Sequence, residues 1–109
     1  MTDLAQRQCI PCEKGASPLE PREIDTLLVQ VPGWKMGDGR LTREVKLKNF
    51  REALALVNRI GEVAEAAGHH PDLCLHGWNR VRIDLSTHSI GGLSENDFIL
   101  AARITELGL

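Results

Sequence analysis

Leu73-Cys74-Leu75-His76-Gly77-Trp78-Asn79-Arg80-Val81-Arg82-Ile83-Asp84-Leu85-Ser86-Thr87 is the stretch that decides the fold. Its second half alternates: Val81, Ile83 and Leu85 against Arg82, Asp84 and Ser86. A period of two marks a strand with one face buried and the other wet. The apolar run Leu73–His76 precedes it, and Gly77-Trp78-Asn79 is a connection too short for a crossover. The two runs therefore read as an antiparallel hairpin.

A second hairpin lies upstream. A short strand around Trp34-Lys35-Met36 meets Asp38-Gly39, a strong two-residue turn signal because glycine supplies the positive φ such turns need. The returning strand alternates Leu41, Val45 and Leu47 with Thr42, Glu44 and Lys46. Helical spacing fills the remaining intervals. Ile24, Leu27, Leu28 and Val31 follow Pro21, which suits a first turn, and Pro32-Gly33 stops that element. Asn49 is placed to cap a helix over 50–67, whose apolar residues are Phe50, Ala53, Leu54, Val57, Ile60, Ala64 and Ala67. Gly68 fits a left-handed C-cap and Pro71 prevents continuation. Ser94 caps a last helix with Phe98, Ala101, Ile104 and Leu107 on its apolar side. The order α-β-β-α-β-β-α, with hairpins rather than alternating βα units, predicts an α+β fold. Its four-stranded antiparallel sheet carries the helices packed on one face.

The 109 residues suffice for one core, expected over 18–109, with 1–17 read as a flexible tail. A net charge of -2 argues against the basic stripe of a nucleic-acid-binding protein. No apolar run approaches the roughly 20 residues of a membrane span, and Met1 to Lys14 lacks the plan of a secretory signal, so the cytoplasm is the expected compartment. Three cysteines are too few and too odd for a disulfide framework. Cys9 and Cys12 form an isolated C-x-x-C without the further ligands of a zinc site, and Cys74 reads as a small, half-buried strand residue.

Chemistry concentrates elsewhere. Glu65, His69, His70, Trp78, His88 and Asp97 gather three of the four histidines, two carboxylates and a tryptophan. Imidazole donates and accepts protons near neutrality. Glu65 lies four residues before His69, one helical turn away, where a carboxylate would orient the ring. Pro71 makes His70 extended, so the two adjacent rings should point apart. His88 continues the polar parity of Arg82, Asp84 and Ser86, which would put it off the helix-covered face or at the sheet rim. Each residue also has a plainer reading. Asp97, three residues after Ser94, could simply complete a capping box; Trp78 could be hairpin packing; Glu65 could be solvated.

The joint spacing resembles that of the pterin-4a-carbinolamine dehydratase family. Its pattern is an acidic or polar residue, three residues, His-His-Pro, five or six residues, an aromatic, nine residues, His, then at least eight residues and Asp. Here Glu65, His69-His70-Pro71, Trp78, His88 and Asp97 stand at those intervals. The flanking Leu85-Ser86-Thr87-His88 and Gly92-Leu93-Ser94-Glu95-Asn96-Asp97 also look like family text, and the resemblance covers about residues 20–107. Gly68 stands where animal members often carry an aspartate, Leu73 where they place an aromatic, and the hairpin is one residue longer, as in many bacterial members.

The resemblance implies a hydro-lyase that dehydrates 4a-hydroxytetrahydrobiopterin to the quinonoid dihydropterin without a cofactor or a metal, in tetrahydrobiopterin recycling. It implies His69 and His88 as the acid/base pair, with His70 positioning the pterin and sharing the proton transfer. Glu65 and Asp97 would orient rings or meet pterin N–H groups, and Trp78 would wall the pocket. His76 falls outside the pattern. The family also implies a homodimer or homotetramer and a functional link to an aromatic amino acid hydroxylase. Two other readings remain open. One is a non-catalytic pterin- or protein-binding module, in molybdopterin metabolism or as a transcriptional dimerisation cofactor. The other is a histidine-rich metal hydrolase, disfavoured because adjacent histidines are a less common ligand spacing.

Overall fold

Asp38 and Gly39 hold φ of 52° and 73°, and this pair of positive values, as a type I′ turn requires, folds β1 (Lys35–Gly37) back onto β2 (Arg40–Lys46). The computed structural model describes residues 4–6 and 18–108, apart from the side chain of His88. Cys9 and Cys12, and most of the expected tail, lie outside the described residues. The other elements are α1 (Pro21–Leu28), α2 (Phe50–Ala67), β3 (Asp72–His76), β4 (Arg80–Leu85) and α3 (Glu95–Thr105). The expected order holds. All three sheet pairings are antiparallel, in the order β1-β2-β4-β3.

Strand parity builds the core. Leu41, Val81, Ile83 and Leu85 are fully buried and meet Ala53, Leu56, Ile60 and Ala64 of α2 and Phe98, Leu100 and Ile104 of α3. The opposite sheet face carries Thr42, Glu44, Arg82, Asp84 and Cys74, in register across the strands. Trp34 closes one end of the core, its Nε1 donating to Thr105 Oγ1 at 2.9 Å.

Two details differ from expectation. Spacing assigns Phe50 and Leu54 to the buried face of α2, but they are 49% and 46% exposed, while Leu56 is buried. The helix carries a second apolar stripe on its flank, and spacing alone does not say which one meets the sheet. β4 ends at Leu85, and 88–90 forms a 3-10 turn, so the strand alternation does not extend to His88. Leu4–Gln6 form another 3-10 turn, with Leu4 buried and Ala5 accepting a bond from Arg103 Nε at 3.3 Å. Part of the segment read as a tail thus packs on α3.

Candidate active site

Three element ends converge to build the site. The first is the C-terminus of α2. Gly68 takes φ 68° there, and its N–H and that of His69 bond back to the last helical carbonyls. This left-handed cap turns the chain off the helix axis. His69 therefore leaves the column that Glu65 occupies, and the i,i+4 pair suggested by their spacing does not form. Glu65 Oε1 instead lies 3.3 Å from Nε2 of His70, in an exposed pair.

The second end is the start of α3. Ser94 is its N-cap and Asp97 its third residue, and the Ser94 N–H donates to Asp97 Oδ2 at 2.9 Å. Asp97 is also 0% exposed, and its other oxygen, Oδ1, lies 2.5 Å from Nε2 of His69. Capping and orienting a ring are alternatives for this residue in the sequence; the structure assigns one carboxylate oxygen to each. The helix N-terminus adds its partial positive charge beside the carboxylate. The His69 side chain is 13% exposed, so the pair is shielded from water, which strengthens its attraction.

The third end is the segment after β4. Thr87 Oγ1 donates to Asp97 Oδ2 at 2.9 Å and lies 2.7 Å from Ser94 Oγ. A bridge between Thr87 and Gly92 closes the loop that holds the 3-10 turn. Sequence reading overlooked Thr87, although a signal existed. The buried parity Val81, Ile83, Leu85 continues to 87, and an inward hydroxyl must find a partner. His88 follows directly on Thr87, so its backbone adjoins this network; its side chain lies outside the described residues.

The remaining candidates sit apart. Trp78 is the middle residue of the β3–β4 turn, with φ 60° and 62% exposure. It is separated from the His69 end by the length of β3, roughly 15 Å at about 3.3 Å per residue. The neighbouring Asn79 anchors this turn, its side chain donating to Leu47 O at 3.0 Å and its carbonyl accepting from Leu47 N–H at 2.7 Å. His76 lies on the open sheet face, 2.5 Å from Glu44. A cavity of about 470 Å³ on that face is lined by Arg40, Thr42, Arg82 and Asp84, and Glu65, His69, His70, Trp78 and Asp97 are not among its lining residues. Among the described residues, no three His, Cys, Asp or Glu side chains cluster as metal ligands would, and no helix is long and apolar enough to cross a membrane.

In this α+β domain a buried carboxylate holds one imidazole at a helix start, an arrangement chemically able to pass protons. Residues 17–107 match the family model described as pterin 4 alpha carbinolamine dehydratase. A Rubrobacter xylanophilus protein provisionally named for this activity is 47% identical over 108 residues, covering 98% of this chain and 100% of that one. The mitochondrial pterin-4-alpha-carbinolamine dehydratase 2 of Arabidopsis thaliana is 43% identical over 98% of this chain and 60% of its own length. The crystal structure of a transcriptional coactivator/pterin dehydratase from Brucella melitensis superposes with a TM-score of 0.77 at 32% identity, covering 85% of this chain and all of that one. A pterin dehydratase-like RuBisCO assembly factor of the alpha-carboxysome shares the fold at a TM-score of 0.56 and 23% identity, over 69% of this chain and 88% of its own. The chain belongs to the pterin-4a-carbinolamine dehydratase family.

Proposed function

We propose that this protein dehydrates 4a-hydroxytetrahydrobiopterin to the quinonoid dihydropterin and water, in the cytoplasm, as a step in tetrahydrobiopterin recycling. In this reaction the C4a–O bond breaks, the hydroxyl leaves as water after gaining a proton, and N5–H loses one as a C4a=N5 double bond forms. No electrons are exchanged with a second reactant, so two proton-transfer groups suffice. Positioned acid/base groups contribute typically 10²–10⁴-fold. His69 and His88 are the proposed pair, with His70 and Glu65 at the pterin edge. Asp97 serves through His69, and Trp78 is proposed to contact pterin.

The observation that carries this reading is the Asp97–His69 contact inside the shielded junction of α2, α3 and the 87–94 loop. A chain used only as a scaffold for binding other proteins has no need of a buried carboxylate aimed at a ring. The binding-module reading draws on the Brucella melitensis relative, which is described as a transcriptional coactivator as well as a pterin dehydratase. The test is turnover of synthetic 4a-hydroxytetrahydropterin. His69→Ala and His88→Ala are each expected to lower dehydration at least 10²-fold with unchanged circular dichroism, and chelator treatment to leave the wild-type rate intact. Wild-type turnover no faster than the spontaneous reaction overturns the enzymatic reading, and loss of activity on chelation favours a metal enzyme.

We further propose a homodimer or homotetramer, because Phe50 and Leu54 leave an apolar stripe on α2 exposed and, among the described residues, the outer edges of β1 and β3 have no strand partner. The proposed physiological link is to an aromatic amino acid hydroxylase, whose product would be this enzyme's substrate.

A further inference from the structure

We infer that Thr87 is a positioning residue. Acting through Asp97, it fixes His69 as the tautomer protonated at Nε2, so that Nδ1 is the nitrogen that takes a proton from the substrate. This deepens the dehydratase reading and rests on it for the word substrate, though not for the tautomer.

With Asp97 ionised, donors and acceptors at the network balance in one way. An ionised carboxylate accepts and does not donate. Asp97 Oδ2 receives the Ser94 N–H and the Thr87 hydroxyl, each at 2.9 Å. Thr87 has one hydroxyl proton, and it is committed to Asp97. The 2.7 Å contact between Thr87 and Ser94 hydroxyls must then be donated by Ser94. The chain of bonds runs from Ser94 through Thr87 to Oδ2, leaving Oδ1 to face His69 Nε2 as an acceptor. The proton of a neutral His69 therefore sits on Nε2. Among the described residues nothing hydrogen-bonds Nδ1. A base built this way gains its second proton at Nδ1, and the buried carboxylate stabilises the imidazolium that results, as in other carboxylate–imidazole pairs.

Thr87 also supplies geometry. It is buried, and its bridge to Gly92 ties its backbone to the loop leading into α3. Without its hydroxyl, Oδ2 keeps one donor in place of two and the carboxylate is free to rotate away from the ring.

The test labels histidine with ¹⁵N and reads the His69 tautomer by long-range proton–nitrogen correlation, alongside kcat and KM for the dehydration. Wild type is expected to show the Nε2–H tautomer. Thr87→Val, nearly isosteric, is expected to mix the tautomers and lower kcat about tenfold, the effect of one charge-assisted hydrogen bond, with KM within twofold. Thr87→Ser should restore both. A wild-type Nδ1–H tautomer, or an unchanged tautomer in folded Thr87→Val, overturns the inference. If both Thr87→Val and Thr87→Ala fail to fold while Thr87→Ser folds, the hydroxyl serves the fold and the positioning role also falls. Should wild type lack dehydratase activity while the tautomer responds as expected, the proposed reaction fails and the positioning stands.

Discussion

At Asp97, Oδ1 meets the ring of His69 while Oδ2 caps α3 and receives Thr87, so a change that keeps shape but removes charge separates the two roles. Asn in its place can turn its oxygen toward Thr87 and the Ser94 N–H, which leaves an NH₂ facing Nε2 and forces the opposite ring tautomer. Asp97→Asn is expected to fold with a loss of roughly 1–2 kcal/mol in urea titration, and to reduce dehydration by more than 10²-fold. Equal small losses in both measurements would make the carboxylate a cap alone. The sequence made both uses of Asp97 visible but presented them as rivals, because spacing assigns residues and not individual oxygens. Its partner was less legible. The pairing of His69 with a residue 28 positions away depends on Gly68 turning the chain off α2, whereas helical spacing pointed to Glu65. Thr87 could be read only by continuing the buried parity of β4 past the end of the strand.

At the scale of elements, two glycines hold the site for different reasons. A Cβ at Gly68 would meet nothing within 4 Å, so Gly68→Ala is strained only by its φ of 68°. That costs about 1 kcal/mol, read as a small downward shift in Tm. A Cβ at Gly92 would lie 2.7 Å from Pro18 Cβ, with no positive φ involved. Pro18 cannot easily retreat, because the next residue, Leu19, donates its N–H to Leu93 O at 2.8 Å. Gly92→Ala is therefore expected to destabilise by roughly 1–3 kcal/mol and to lower activity as well, since it strains the loop between Thr87 and Ser94. Calorimetry and turnover on the same samples check this; a fall in stability without a fall in rate would show that the loop absorbs the clash. Element boundaries were legible where caps are explicit: α2 runs from 50 to 67 between the Asn49 cap and Gly68. The orientation of α2 was less so, because its apolar residues occupy two stripes and only packing against the sheet chooses between them.

Across the whole molecule, one face of the sheet belongs to the core and the other to polar pairs such as Arg82–Asp84 and His76–Glu44. His76, the histidine outside the family spacing, is expected to tolerate Gln with dehydration within twofold of wild type. The uncovered apolar stripe of α2 makes a separate prediction. Leu54→Asp together with Phe50→Asp should shift sedimentation toward a smaller species; an unchanged species would locate the interface at the sheet edges. Trp78 lies at the far turn of the β3–β4 hairpin, a position the motif does not convey, because it records intervals along the chain and not which end of a strand a residue occupies. Leu4 carries a practical consequence. The family match begins at residue 17, yet this leucine is buried against α3, whose residues from Asn96 to Ala102 are all covered. Trimming the chain to its recognised domain would strip that cover and expose apolar surface, a loss of about 1.5–3 kcal/mol for one fully buried leucine. The unit that the family model delimits is smaller than the unit that packs the core.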